Sequence, residues 1–376
     1  MKKRKIKKTP FLVLLILICL VFGVLHFFKG YFNKDDVEDT PVVEEKTSKE
    51  YNLSFTLAGN VLVNSNMWAD TRNSDSYDFA PIFEYVNDIM KKSDINFYFE
   101  QSILGGKELG SSLYYNYNTP HELLTTMSNI GFNMTSLGSR HAYDKGLTGI
   151  TNSIKVLNSN KFTYSGVNDT ESISKDNIMT KNGLKVGLLS YTTETDEKVN
   201  EEYAVNIYSA EKVKEDVTNL KKDVDIIIVS IDWSNISSND VTTEQQEIAK
   251  YLSELGVNIV VGDNGYSIQP VEFIDNTLVC YSLGNLLSGH TLVSSRLSTM
   301  VDFNLKVVKD GNNTKITFED INVLMNYAYN INGANYKIIP FSKMSNELTN
   351  YKTYYDNYKE LLTSKNDKVK FYDIGE

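Results

Sequence analysis

Cysteine and proline are scarce in this sequence, with two Cys and six Pro among 376 residues. So little cysteine excludes a fold held together by several disulfide bonds. The apolar content is ordinary, at 41% of residues, which excludes a disordered or collagen-like chain. No G-x-G-x-x-G or P-loop spacing is present, so the chain has no recognisable nucleotide-binding motif. The length allows one large domain or two small ones.

Basic residues are also scarce outside the first 29 positions. Residues 1–29 hold seven of the 38 Lys and Arg residues and no Asp or Glu. Residues 30–376 therefore combine 31 basic with 48 acidic residues, which gives a net charge of −17. A body this acidic repels the phosphates of nucleic acids, so we expect no nucleic-acid partner.

A single long apolar run lies near the start of the chain. It covers 19 residues, Pro10–Phe28, is interrupted only by His26 and follows the basic cluster Lys2–Lys8. A helix needs about 20 apolar residues to cross a bilayer, whereas a cleaved signal peptide has a shorter apolar core and a small-residue exit. We predict a cytoplasmic leader at 1–9, a transmembrane anchor at 10–29 and a single-pass cell-membrane protein with an extracellular carboxyl-terminal body. An apolar helix buried in the domain is the alternative.

Beyond a predicted acidic stalk at 30–50, short apolar runs alternate with amphipathic segments. The runs predict strands at Leu53–Ala58, Ile95–Phe99, Phe132–Leu137, Lys185–Tyr191, Val224–Ile231 and Val257–Val261. The segments predict helices at Phe79–Lys91, Pro120–Ile130, Gly149–Ser159, Ala210–Leu220 and, most clearly, Thr242–Gly256. This alternation predicts an α/β domain over 51–325 with a largely parallel central sheet. Residues 326–376 are predicted to be a partly helical C-terminal extension.

Polar residues follow several of the predicted strands at the point where each strand ends. These residues are Asn60, Glu100, His141 with Asp144, Asp232 and Asp263. Ligands of open α/β sheets bind beyond the carboxyl ends of the strands, where the loops converge. Each residue taken alone could simply cap a helix or make a turn. Taken together, they predict a cleft.

The order and spacing of seven segments resemble the CapA/PgsA type of poly-gamma-glutamate capsule synthesis proteins. The segments are 55–62, 98–100, 136–146, 229–234, 262–266, 269–272 and 281–285. The last keeps the family's Tyr-Ser-Leu-Gly-Asn as Tyr281-Ser282-Leu283-Gly284-Asn285. The resemblance covers Leu53 to Leu287, and the basic leader and anchor fit it. It implies a layered α/β sandwich of the metallophosphoesterase-like fold.

The sequence departs from this family where metal ligands would be expected. Asn60 replaces an Asp, Arg140 an Asn and Asp232 a His, and a His-rich segment becomes Asp263-Asn264-Gly265-Tyr266. Arg140 would bring a permanent positive charge to a place meant for a dication. We therefore expect a disabled two-metal centre and no metal cofactor. A residual divalent cation held by Glu100, Asp232 and Asp263 is the alternative, because oxygen ligands suit Mg²⁺ or Ca²⁺.

The resemblance and the retained residues lead to two hypotheses. In both, the predicted binding cleft consists of Asn60, Glu100, Arg140, His141, Asp232, Trp233, Asp263, Tyr266 and Asn285. His141 is either an acid/base catalyst oriented by Asp144 or a loop His that only makes hydrogen bonds. The aromatic cluster at Tyr114, Tyr115 and Tyr117 either lines a groove for a polymer or belongs to the core.

The first hypothesis is a membrane-anchored extracellular accessory protein of capsule or poly-gamma-glutamate biosynthesis or export. It would act by binding an extracellular anionic polymer and membrane synthase subunits. A body with a charge of −17 repels such a polymer unless basic residues are gathered locally. The alternative hypothesis is an exported metal-dependent hydrolase, phosphoesterase-like or polymer-cleaving, that uses the residual cleft residues.

Overall fold

The computed structural model describes residues 20, 21, 23, 24, 26, 48–171, 177–234, 238–263, 266–311 and 313–374. Apart from five helical positions between 20 and 26, the predicted leader, anchor and nearly all of the stalk lie outside the described residues. No helix among the described residues has the length and apolar character needed to span a bilayer. The chain divides into two units, Met1–Thr47 and Ser48–Glu376, and the second contains all the elements described below.

The second unit is built mainly of strands. They are β1 (Lys49–Val61), β2 (Arg72–Asn73), β3 (Ser76–Tyr77), β4 (Ile95–Glu100), β5 (Met134–Ser136), β6 (Thr163–Ser165), β7 (Ile178–Lys181), β8 (Leu184–Thr192), β9 (Ile226–Asp232), β10 (Ile259–Asp263), β11 (Val271–Ile274), β12 (Thr277–Cys280), β13 (Asn285–Leu287), β14 (Leu297–Asp310), β15 (Asn313–Ile331), β16 (Ala334–Pro340) and β17 (Lys370–Phe371). The α-helices of this unit are α1 (Ser65–Asp70), α2 (Asn87–Met90), α3 (His121–Ile130), α4 (Gly146–Ser159), α5 (Ala210–Leu220), α6 (Thr243–Glu254) and α7 (Tyr351–Thr363).

Local sequence signals account for most of these elements. Helix α6 begins with a capping box, in which Thr242 Oγ1 accepts from Gln245 N–H at 3.2 Å and Gln245 Oε1 accepts from Thr242 N–H at 3.0 Å. The predicted helix at Phe79–Lys91 is wrong in extent. The Ile82 N–H donates to Phe79 O and the Val86 N–H to Phe83 O, so the segment forms a 3₁₀ turn at Ala80–Phe83 and only a short helix, α2.

Two mixed sheets replace the single, largely parallel sheet expected from the sequence. The nine-stranded sheet has the order β16-β15-β14-β1-β4-β5-β6, with β13 beside β1 and β17 beside β15. The six-stranded sheet has the order β11-β12-β10-β9-β8-β7. In the nine-stranded sheet, the N-terminal strand β1 pairs antiparallel with β14, and the hairpins β14-β15-β16 continue from there to one edge. In the six-stranded sheet, the antiparallel pairs β7-β8 and β11-β12 form the two edges of a parallel centre.

The two sheets pack against each other with helices on their outer faces. A shared core cluster contains Phe55 and Phe97 from the first sheet with Val186 and Ile228 from the second. Apolar residues of α3 and α4 pack on the other face of the first sheet, and those of α5 and α6 pack on the other face of the second. Each sheet thus buries both faces. The prediction of a layered α/β fold is confirmed at the level of a mixed, sheet-dominated α/β architecture.

The C-terminal residues are part of the same unit. Strand β15 runs through residue 325, where the sequence analysis placed a domain boundary. Tyr355 and Leu362 of α7 belong to the core cluster that the two sheets share. Burying these side chains against the sheets is what holds α7 to the domain.

The carboxyl ends of strands from both sheets converge. The Oγ atoms of Ser136, in β5, and Ser190, in β8, form a hydrogen bond between the sheets. Gly138 follows β5 at the same place, and a Cβ there would lie 2.8 Å from the backbone nitrogen of Tyr191. Only glycine allows this approach. The loops after β4, β5, β9 and β10 are therefore held close together.

Candidate functional site

An amide cluster occupies the place where the resemblance suggests an acid. Asn60 lies in β1 and its side-chain Nδ2 donates to Gln101 Oε1 and, at 3.0 Å, to Asn285 Oδ1. The Asn60 backbone N–H donates to Gly284 O at 2.9 Å, and Asn285 Nδ2 donates to Ser295 O at 2.8 Å. Asn60, Gln101 and Asn285 are all buried. These neutral amides bind the strand ends to one another.

Glu100 ends β4 as a buried carboxyl group. Its Oε2 accepts from Tyr98 Oη at 3.2 Å, and its Oε1 accepts from Ser102 Oγ at 3.1 Å. Burial raises the pKa of Glu100 to about 8, and the two hydroxyl donors only partly offset that effect. The side chain is therefore mainly protonated and neutral at pH 7.

Asp232 and Asp263 end the neighbouring parallel strands β9 and β10 and face each other in register. Asp232 Oδ2 accepts from the Arg140 backbone N–H at 2.8 Å, and its Oδ1 accepts from the Ser234 backbone N–H at 2.9 Å. Burial raises the pKa of Asp232 above its ordinary value, against the effect of these two donors. Asp232 thus joins the loop after β5 to the end of β9.

The positive charge of Arg140 is paired within the protein. Its guanidinium donates to Asp196 Oδ1, with Nε at 2.9 Å, and it lies 3.9 Å from the carboxylate of Glu194. The Asp196 backbone N–H donates back to Arg140 O at 2.9 Å. Asp196 carried no signal in the sequence because it lies among polar residues in the loop after the predicted strand Lys185–Tyr191, not directly at the end of that strand. Only the tertiary structure, which brings the loops after β5 and β8 together, shows that Asp196 pairs with Arg140.

His141 and Asp144, the predicted pair, are in contact. His141 Nδ1 lies 3.1 Å from Asp144 Oδ2 and 3.4 Å from Asp196 Oδ2. The Tyr117 backbone N–H donates to the same Asp144 oxygen at 2.7 Å, and the Tyr117 ring packs edge-on against His141 at 4.6 Å between centroids. His141 Nδ1 makes no hydrogen bond to any residue that the structure describes, so the contact with Asp144 is one of proximity. A catalytic role for this pair stays a prediction.

Aromatic side chains surround a cavity of about 210 Å³ beside these loops. Tyr114, Tyr117 and His290 line it, and Tyr266 packs edge-on against His290 at 4.3 Å between centroids. Burial raises the pKa of Tyr117 to about 12, so its hydroxyl stays protonated. Tyr114 is 77% exposed at the rim. His290 lies in a polar loop, and the sequence around it predicts only a surface residue.

Trp233 lies in the core rather than among the cavity residues. Its indole N–H donates to Tyr281 O at 2.8 Å, and its backbone N–H donates to Asp263 O at 2.9 Å. The ring belongs to the apolar cluster between the second sheet and helices α5 and α6. Trp233 directly follows Asp232 in the sequence. Because successive side chains along a strand point to opposite faces of the sheet, these two side chains lie in different layers.

Comparison with known proteins assigns the chain to a family. A family model described as "Bacterial capsule synthesis protein PGA_cap" matches residues 54–290. The chain belongs to this family. All the predicted cleft residues, from Asn60 to Asn285, fall inside the matched part of this PGA_cap chain.

Two relatives carry names of the same kind. The "PGA biosynthesis protein CapA" of Bacillus subtilis (strain 168) is 24% identical over 325 residues, covering 81% of this chain and 79% of that protein. The "Capsule biosynthesis protein CapA" of Bacillus anthracis is 22% identical over 284 residues, covering 71% and 66%. A solved structure, TT1561 of Thermus thermophilus, aligns with a TM-score of 0.39 and 11% identity over 71% of this chain and 98% of its own.

The acids of this PGA_cap chain are spread among separate partners. In the part of the chain that the structure describes, no three His, Cys, Asp or Glu residues are arranged to hold a metal ion. Glu100 is held by two hydroxyl donors and Asp232 by two backbone N–H groups. The alternative of a residual cation held by Glu100, Asp232 and Asp263 stays a prediction.

Proposed function

We propose that this chain is a membrane-anchored extracellular accessory protein of capsule or poly-gamma-glutamate biosynthesis or export, and that it acts by binding. Family membership and the names of both relatives support a role in capsule or poly-gamma-glutamate biosynthesis. The basic leader and the apolar run at 10–28 support a single-pass cell-membrane location with a cytoplasmic N-terminus. Its partners would be the extracellular anionic polymer and the membrane synthase subunits.

The observation that carries a binding role is the state of the strand-end acids. Both oxygens of Asp232 accept backbone N–H groups of the protein itself. Glu100, with a pKa of about 8, is mostly uncharged at neutral pH. A two-metal hydrolytic centre needs several anionic or imidazole ligands directed at the metals. We infer that this chain has no metal-dependent catalysis of its own.

The contact between His141 and Asp144 favours the second candidate, an exported metal-dependent hydrolase. An imidazole next to a carboxylate is a common arrangement for a general base. In this candidate the residual cleft residues would cleave a phosphoester or the polymer, and a divalent cation would be bound.

Complementation of a strain that lacks the gene separates the two candidates. Glu100→Gln keeps the shape of the neutral carboxyl but cannot become an anionic ligand. We expect wild type and Glu100→Gln to restore surface polymer equally, and the purified full chain to contain no stoichiometric Mn, Fe or Zn. Stoichiometric metal, with a phosphatase activity that His141→Ala abolishes, would establish the hydrolase. Normal surface polymer in the deletion strain would exclude the capsule role altogether.

A further inference from the structure

A second cavity lies at the other end of the six-stranded sheet. It measures about 440 Å³, and its lining includes Phe273, Lys315, Phe318, Lys365, Asn366 and Lys368, which together we call the lysine groove. The turn between β11 and β12 is part of its wall. Strand β12 runs parallel to β10, so this turn lies before the start of β10, whereas Asp263 ends β10. Five residues of strand, roughly 16 Å, separate the two ends.

The lysine groove contains a buried donor that has no acceptor. Asn366 is 7% exposed, and its Oδ1 accepts from the Lys368 backbone N–H at 3.1 Å. Its Nδ2 has no hydrogen-bond partner within the described residues. A buried N–H without a partner costs about 1–3 kcal/mol, so an acceptor that reached it from the groove would recover that free energy.

Three lysines line the same cavity as this amide. Lys315 is exposed and forms no ion pair with any residue that the structure describes. Lys368 Nζ lies 5.5 Å from the centroid of the Phe273 ring, and Lys365 Nζ lies 3.5 Å from Glu272. Ammonium groups are donors only. The unpaired Asn366 N–H and the ammonium groups of Lys315 and Lys368 are all donors, and a carboxylate is the acceptor that suits them.

The floor of the lysine groove is apolar. The rings of Phe273 and Phe318 meet edge to face at 5.3 Å between centroids, and Ile316 lies beside them. An apolar floor below charged donors fits a ligand that alternates methylene groups with carboxylates.

The local charge distinguishes this groove from the strand-end site. Three lysines and two acids, Asp275 and Asp367, line it, and Lys365 is paired with Glu272, so its charges balance in a body that carries −17. At the strand ends, the Arg140 guanidinium is paired with Asp196, and three further acids, Asp144, Asp232 and Asp263, are close by. Screening in salt limits each charge to about 10 Å, so the local balance decides where a polyanion can approach.

We propose that the lysine groove binds carboxylates of the anionic polymer that the proposed function requires, and that the strand-end site does not. This inference rests on the proposed function and assigns the polymer contact to a different part of the domain. The polymer's carboxylates accept from Asn366 Nδ2 and from the ammonium groups of Lys315 and Lys368. Its methylene groups pack on the two Phe rings.

The test uses the full-length chain in detergent with fluorescently labelled poly-γ-glutamate, and labelled dextran as an uncharged comparator. The double variant Lys315→Glu/Lys368→Glu should bind poly-γ-glutamate at least tenfold more weakly than wild type. The matched control is Lys214→Glu/Lys250→Glu, which changes the net charge equally at exposed positions on α5 and α6. We expect it to bind within a factor of two or so of wild type, since distant charges are screened.

A more conservative variant tests the orphan donor. Asn366→Asp keeps the oxygen that accepts from the Lys368 N–H and replaces the unpaired N–H with an acceptor. We expect several-fold weaker binding, and a thermal melt shows whether the variant is folded. Asn366→Ser, which keeps a small donor, should bind more tightly than Asn366→Asp.

The outcomes separate this inference from the proposed function. If wild type binds the polymer and the Lys315/Lys368 variant binds it equally, the groove is not the contact, and the capsule role is untouched. If the groove variant and the control variant lose the same amount of polymer binding, binding follows net charge alone. That result would also overturn the proposal that the lysine groove is the contact. Equal binding of dextran would overturn the preference for carboxylates. Normal surface polymer in the deletion strain would instead remove the proposed function itself.

Discussion

The backbone N–H of Arg140 donates a 2.8 Å hydrogen bond to the carboxylate of Asp232, across 92 positions of the sequence. One residue follows β5 of the nine-stranded sheet and the other ends β9 of the six-stranded sheet. This bond is therefore a direct link between the two sheets at the strand ends. The same carboxylate also accepts from Ser234 N–H, so it is part of the scaffold of the site.

Asp232→Asn should destabilise the domain. An amide has one acceptor oxygen and presents an N–H₂ group to the other backbone donor, so one buried N–H loses its partner. The expected loss is about 1–3 kcal/mol in the free energy of unfolding, measured by urea denaturation. Asp223→Asn is the control, because Asp223 is exposed, and it should change stability by less than about 0.5 kcal/mol. Equal stability of the two variants would contradict a scaffold role for Asp232.

Glu100 should make the domain less stable as the pH rises. Its pKa is about 8 in the folded protein against an ordinary value of 4.5, so the folded state holds a proton that the unfolded state has lost between these values. Stability from this group therefore falls from about pH 4.5 to pH 8. Glu100→Gln cannot ionise, so the stability of this variant relative to wild type should rise across that window. Urea midpoints at pH 5, 6.5 and 8 measure the difference, and a constant difference would disprove the raised pKa.

Trp233→Phe should lower stability and leave polymer binding unchanged. The variant keeps an aromatic ring in the core but loses the indole N–H bond to Tyr281 O and leaves that carbonyl unpaired. The expected loss is about 1–2 kcal/mol in the free energy of unfolding. Binding of labelled poly-γ-glutamate is the second measurement. Weaker binding with unchanged stability would place Trp233 in the cleft, as the sequence analysis expected.

Tyr115→Asn should relieve backbone strain within the aromatic cluster at Tyr114, Tyr115 and Tyr117. Tyr115 has a φ of 64°, in the left-handed region that Asn tolerates better than Tyr. Tyr114→Asn is the matched control, since either change removes the same contact between the two rings, whose centroids are 3.9 Å apart. Tyr115→Asn should be more stable than Tyr114→Asn by about 1 kcal/mol in urea unfolding. The reverse order would show that the ring of Tyr115 contributes more than its backbone costs.

Much of the candidate site could be predicted from local sequence. Asn60, Glu100, Asp232 and Asp263 each follow or end an apolar run, and the structure has them at the ends of β1, β4, β9 and β10. Asp196 and His290 could not be found in this way, because nothing in their own segments marks them. Their importance comes from the loops that they meet.

The sequence by itself determined the six strands predicted from apolar runs, helix α6 and the acidity of the body, because hydrophobic patterning and charge belong to residues that are near one another in the chain. Tertiary structure alone decided that there are two sheets, since strand pairing joins segments whose local patterns are alike. It also decided that Asp232 is satisfied by Arg140 N–H and that Lys315, Asn366 and Lys368 share one groove. Those contacts join residues that lie tens of positions apart, and only packing of the whole core brings them within hydrogen-bond distance or into one cavity.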